Sequence, residues 1–217
     1  MGRWIIAIDG PAAAGKGTLA RRLASHLALP YLDTGLLYRA VGRRVLDAGA
    51  TPSDPAAAER AARALLPADL ERSDLRGPEA DSAAAAVASV SGVRAALLDF
   101  QRDFGAATGA VLDGRDIGTV VFPGADLKLF VVASAQARAR RRWLELRERG
   151  VEADLAEVER EIRARDQQDA ERTIAPLRPA DDAVTIDTTE LDRDAAFAAA
   201  LQVAASRLGL ANSDQGD

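Results

Sequence analysis

The 217-residue chain contains no cysteine, one histidine (His26) and one methionine. Disulfide frameworks, thiol catalysis and cysteine-based zinc sites are therefore excluded. A single histidine also excludes histidine-clustered metal sites and most hydrolases that use a histidine base. Aromatic residues make up 4% of the chain, too few to interleave with cations as a base-stacking surface. No apolar run approaches the roughly 18 residues of a membrane-spanning helix. The N-terminal run from Met1 to Ile8 meets Asp9 too early for the apolar stretch of a signal peptide. Lysine is nearly absent as well. Of 28 cationic residues only Lys16 and Lys128 are lysines, and the other 26 are arginines. A lysine that persists in such a composition marks a position with a chemical reason.

What is present suits one compact domain with a full core. Hydrophobic residues reach 48% and charged residues 28%, outside the range of disordered chains. The net charge of −5 and a pI near 5.1 argue against bulk attraction to a polyanion. These values predict a protein of the reducing cytoplasm that partners small molecules, with no nucleic acid and no membrane.

Short apolar runs predict strands at 3–8, 31–32, 110–112, 127–132 and 183–186. Helical spacing predicts helices at 17–29, 35–48, 93–104, 135–149, 155–169 and 192–208. Strands alternating with helices predict an α/β fold with a parallel sheet covered on both faces. The alanine-rich stretch 52–92 is broken by Pro52, Pro55, Pro67 and Pro78 and predicts short helices. That stretch and 138–178 read as insertions on one core. Residues 211–217 read as a disordered polar tail.

Four motifs carry the chemistry. The first is Gly10-Pro11-Ala12-Ala13-Ala14-Gly15-Lys16-Gly17-Thr18, directly after a strand and opening a helix. This G-x-x-x-x-G-K spacing is a P-loop: small residues let the backbone wrap a phosphate, and the helix N-terminus adds positive potential. Gly17 follows the lysine, and the hydroxyl comes at Thr18. The second runs from Leu32 to Arg39, where Thr34 and the following helix amides suit an anion and Arg39 lies about one turn in. Alone it equally describes an ordinary helix cap with a surface arginine. The third, Asp113-Gly114-Arg115-Asp116-Ile117-Gly118, follows three apolar residues and puts a carboxylate at a strand's C-terminal edge, where α/β sheets place ligands. In the fourth, Arg165, Asp169 and Arg172 are spaced to share one helix face and suit neutralisation of a transferring phosphoryl group. Alone it is a solvated ion-pair helix. The run Arg138, Arg140, Arg141 and Arg142 reads as a solvated face or a nucleic-acid patch.

In this order the four blocks resemble the bacterial cytidylate kinase family, within the nucleoside monophosphate kinases, over nearly the whole chain. The Asp-Gly-Arg-Asp-Ile-Gly block distinguishes it from adenylate kinases. The resemblance implies a five-stranded P-loop NTPase sheet flanked by helices and one kinase domain over 1–210. Its core would lie at 1–50, 105–135 and 180–210, its monophosphate-binding insert at about 52–104, and its lid at about 138–178. It implies phosphorylation of CMP and dCMP by ATP. Magnesium would be held mainly by phosphates and water, with no protein metal ligand, in an enzyme that works as a monomer. Gly10 to Thr18 would cradle ATP, with Lys16 on the transferring phosphate. Thr34, Arg39 and Arg115 would grip the CMP phosphate, and Arg94 and Asp116 would read cytosine. Arg165 and Asp169 would contact the ribose side, and Arg172 would act as a lid arginine; Arg115, Arg165 and Arg172 would join Lys16 in catalysis.

Three departures stand out. Ala85 falls where the family carries a base-contacting serine, the stretch 67–76 is short, and Val132 replaces a frequent acid. The first two point to looser base selectivity. A P-loop GTPase would need an [NT]-K-x-D motif, which the surroundings of Lys128 do not supply. Among kinases the alternative substrates are UMP and dephospho-coenzyme A.

Overall fold

A computed structural model describes residues 2–210; the predicted tail at 211–217 lies outside them. The chain forms two compact units. One comprises the residues up to Leu32 together with those from Thr108 onward, and the other is Asp33–Ala107.

The first unit is built on a five-stranded sheet: β1 (Ile5–Asp9), β2 (Tyr31–Asp33), β3 (Ala110–Gly114), β4 (Leu127–Val132) and β5 (Val184–Asp187), in the order β2-β3-β1-β4-β5. β1 is central and pairs in parallel with β3 and β4, Ile8 lying opposite Asp113 on one side and Leu129 on the other. Ile6 and Ile8 are fully buried, as expected of a strand covered on both faces. Helix α1 (Lys16–Leu27) buries Leu19, Ala20, Leu23 and Ala24, which is its stripe at helical spacing. The C-terminal helix, Arg193–Leu208, buries Ala196, Ala200 and Ala204, and both helices join the cluster around Ile6, Val111, Leu129 and Val131. Each large aliphatic side chain buried there contributes about 1.5–3 kcal/mol. Helix Ala135–Glu148 is capped by Ser134 and helix Leu155–Ala170 by Asp154, and the two pack around Ala139, Leu146, Val158 and Ile162.

The second unit is helical: α2 (Thr34–Asp47), α3 (Pro55–Arg63), a 3-10 turn (Pro67–Glu71), α4 (Pro78–Ala88) and α5 (Ser91–Ala106). The prolines here open elements rather than only breaking them. Pro55, Pro67 and Pro78 occupy first-turn positions, where the missing N–H costs nothing. α2 packs closely on α4, and Gly42 makes this possible: a Cβ there would lie 2.8 Å from the Cβ of Ala83. Consequently α2, placed with the core on sequence grounds, falls in this helical unit. The remaining helices follow as α6 (Ala135–Glu148), α7 (Leu155–Ala170) and α8 (Arg193–Leu208).

Candidate functional site

The P-loop lies between β1 and α1. Gly10 has φ 150°, and a Cβ there would sit 2.0 Å from the Val131 carbonyl oxygen on β4, so only glycine fits. Gly15, in the left-handed region, is the N-cap of α1, and no side chain caps that helix. Helix N-terminal amides at such a loop are the groups that suit an anion. Two side chains hold the loop's carbonyls: Arg138 Nη1 donates to Ala12 O at 3.3 Å, and Thr188 Oγ1 donates to Ala14 O at 3.0 Å. Lys16 opens α1 and is half-buried, while Thr18 is exposed on its first turn.

At the end of β1, Asp9 is 5% exposed and accepts the Ile117 amide at 2.8 Å and the Gly118 amide at 2.8 Å. Burial pushes this carboxyl up to about 6; the two amides and Lys16 pull it down, and Asp116 pushes it further up. Ile117–Val121 forms a π-helical turn that the sequence did not predict. It places Arg115 and Asp116 between the end of β3 and a turn anchored on β1. Tyr31 donates to Asp113 at 2.8 Å at the same end of the sheet.

Three of the predicted residues meet on Asp169. Its side chain is 2% exposed, with Arg115 Nε at 2.9 Å on one oxygen and Arg172 Nη2 at 2.5 Å on the other. Burial would raise this carboxyl, but the guanidiniums of Arg115 and Arg172, with Arg165 nearby, outweigh it and hold it below the usual carboxylate range. Arg172 does not share a helix face with Arg165 and Asp169 as expected. α7 ends at Ala170, and Arg172 reaches Asp169 from the chain beyond.

In the helical unit, Thr34 is 3% exposed and is the first residue of α2; Asp33, not Thr34, occupies the N-cap. Arg39 Nε donates to Asp81 on α4 at 3.0 Å. Ala85 lies one turn beyond Asp81 on α4, and Arg94 stands over the Tyr38 ring at 5.9 Å.

The arginine run of α6 is not uniformly a solvated face. Arg140 is exposed, but Arg138 is 4% exposed and forms a bidentate pair with Asp166. Arg141 donates to the Thr188 carbonyl at 2.5 Å. Apolar periodicity gives no hint of this, because the arginine pairs across helices rather than along one. Asp9 has a signal in the sequence: a carboxylate that ends a wholly apolar strand marks a buried acceptor. Lys128, the other lysine, lies on β4 with its Nζ on the Pro123 carbonyl and on Asp182 at 2.8 Å. Its stem crosses the Gly118 turn, so it supports the loop above Asp9.

Among the described residues, no cluster of three or more histidine, cysteine or acidic side chains could hold a metal ion, and no single helix is long and apolar enough to cross a membrane.

The cytidylate kinase family profile matches residues 6–206. The cytidylate kinase of Granulibacter bethesdensis is 65% identical over 201 residues, covering 93% of this chain and 96% of its own length. That of Acidiphilium cryptum is 63% identical over 196 residues, covering 90% and 92%. That of Paramagnetospirillum magneticum is 60% identical over 207 residues, covering 94% and 98%. A crystal structure of an uncharacterized protein from Eubacterium ventriosum shares the fold, with a TM-score of 0.55 at 16% identity over 95% of this chain and all of that one. With the ordered motifs and a P-loop on the central strand of a parallel sheet, these similarities mean that the chain belongs to the cytidylate kinase family.

Proposed function

We propose that Gly10 to Thr18 hold ATP and that the remaining predicted residues bind and orient a CMP or dCMP acceptor. The reaction is the ATP-dependent phosphorylation of CMP to CDP, and of dCMP to dCDP. Close similarity to cytidylate kinases supports it over UMP or dephospho-coenzyme A as acceptor. The observation that carries the reading is the P-loop itself, set between the central strand and α1, with Gly10 packed against Val131 and the Ala12 and Ala14 carbonyls held by Arg138 and Thr188.

Each residue has a part. Lys16 neutralises charge on the transferring phosphoryl group. Arg115 is oriented by Asp169 through Nε and by the Gly114 carbonyl through Nη1 at 3.2 Å, and its remaining N–H donors grip the CMP phosphate. Thr34 and Arg39 also serve the CMP phosphate, and Arg94 and Asp116 read the base. Arg165 and Asp169 serve the ribose side, and Arg172 adds positive charge near the phosphates.

Magnesium would be held mainly by the nucleotide phosphates and water. When bound, it supplies charge neutralisation across the phosphate oxygens. We read one kinase domain over 1–210, with a core, a monophosphate-binding insert near 52–104 and a lid near 138–178. The enzyme acts as a monomer in the cytoplasm, on small molecules alone.

Lys16→Ala tests the reading. Turnover should fall on the order of 10²-fold or more with the fold retained, because a cation aligned on developing charge supplies a few kcal/mol. Near-normal turnover by the purified, folded variant would sink the assignment.

A further inference from the structure

One guanidinium in the core unit touches three segments. Arg138, in the first turn of α6, donates Nε to the Ala133 carbonyl at 2.9 Å, just past the end of β4. Its Nη1 donates to the Ala12 carbonyl of the P-loop at 3.3 Å and to Asp166 at 2.8 Å. Its Nη2 donates to the other Asp166 oxygen at 2.6 Å. Four of its five N–H donors are directed at named acceptors, and the side chain is 5% exposed.

Asp166 lies on α7, three residues before Asp169, the carboxylate that holds Arg115 and Arg172. The path is therefore short and continuous. It runs from the P-loop backbone through Arg138 and Asp166 to α7, and along that helix to the cations on Asp169. Such a joint requires a planar fork: an ammonium has the charge but cannot bridge a carbonyl and a bidentate carboxylate in one plane.

We propose that Arg138 is a positioning residue for phosphoryl transfer, holding the P-loop and the cation-bearing end of α7 in one register. The proposal rests on the assignment of ATP to the P-loop, of Arg115 to the receiving phosphate and of Arg172 to the vicinity of the phosphates. Each half binds its own ligand in the ground state. Only the transition state needs donor phosphate and cations aligned together, and a misplacement of about 1 Å costs roughly 10²-fold. Loss of the joint should therefore appear in kcat and largely spare KM.

The test is steady-state kinetics on Arg138→Lys, Asp166→Asn, Asp166→Glu and the double variant Arg138→Lys/Asp166→Asn, with Lys16→Ala alongside and thermal melts for each. Arg138→Lys and Asp166→Asn should each lower kcat by about 10- to 100-fold, with KM for ATP and for CMP within about threefold of wild type. The double variant should be no worse than the poorer single, because both break one joint. Asp166→Glu, which keeps a carboxylate, should recover part of the loss seen in Asp166→Asn. If Arg138→Lys does not fold, the Asp166 pair gives the same readout from the other side of the bridge. Unchanged kcat in the folded variants, or a rise in KM with kcat kept, overturns the proposal. Should Lys16→Ala abolish turnover while the bridge variants turn over normally, the kinase reading stands and this inference alone falls. Turnover surviving in Lys16→Ala instead removes the kinase reading on which the inference rests.

Discussion

Ala85 and Asp116 are where substrate choice is proposed to be made. Cytosine offers a donor at its exocyclic amine, where uracil has an acceptor. Asp116, 6% exposed, is an acceptor suited to that amine. A site built to pair a polar group rejects analogues that leave its buried atoms unpaired. Ala85, one turn from Asp81 on α4, brings no hydroxyl to this discrimination. Ala85→Ser should therefore raise the ratio of kcat/KM for CMP over UMP by roughly fivefold, the worth of about one hydrogen bond. Asp116→Asn should lower the same ratio. An unmoved ratio in Ala85→Ser removes Ala85 from the base site, and an unmoved ratio in Asp116→Asn removes the base-reading role of that carboxylate.

Two helix pairs give predictions of their own. α2 meets α4 where Gly42 faces Ala83, and a new Cβ would lie 3.0 Å from the Ala83 carbonyl carbon as well as 2.8 Å from its Cβ. Gly42→Val should cost about 1–3 kcal/mol, typical of overpacking. The loss should be read as a lower urea midpoint and partly relieved by Ala83→Gly. α6 and α7 form the proposed lid. Here amide exchange across residues 138–172 should slow when ATP analogue and CMP are bound together. Exchange that is unchanged by both ligands would leave this hairpin a static support for the P-loop.

Stability of the whole molecule should bend with pH in two opposite ways. Asp9 titrates near 6 in the folded state against an ordinary 3.8, so the native chain holds a proton that the unfolded chain has lost. Stability from this group is present at low pH and drains away between about pH 4 and 6, by about 3 kcal/mol. Asp169 is shifted downward, so its contribution is present above the usual carboxylate range and is lost as acid protonates it. Urea unfolding of wild type and Asp9→Asn across pH 4–7 separates these effects. Wild type should lose stability relative to the variant as pH rises, whatever the variant's absolute stability. Parallel curves would show that Asp9 does not carry the shift.

The sheet, the P-loop and most helices were legible because each depends on local order. Strand β4 occupies Leu127–Val132 as its apolar run requires, and α1 follows from Gly-Lys-Gly-Thr and a leucine every fourth residue. Local patterning also determined that a phosphate loop begins at Gly10. Tertiary structure alone decided the partners of charged side chains. Arg172 joins Asp169 from outside α7, and Arg138 is buried against Asp166, 28 residues away, rather than solvated. The π-helical turn at Ile117–Val121 depends on Asp9, more than a hundred residues earlier. A charge or an unpaired amide has no periodicity that names its partner. Its place is set by desolvation, which only the folded chain imposes.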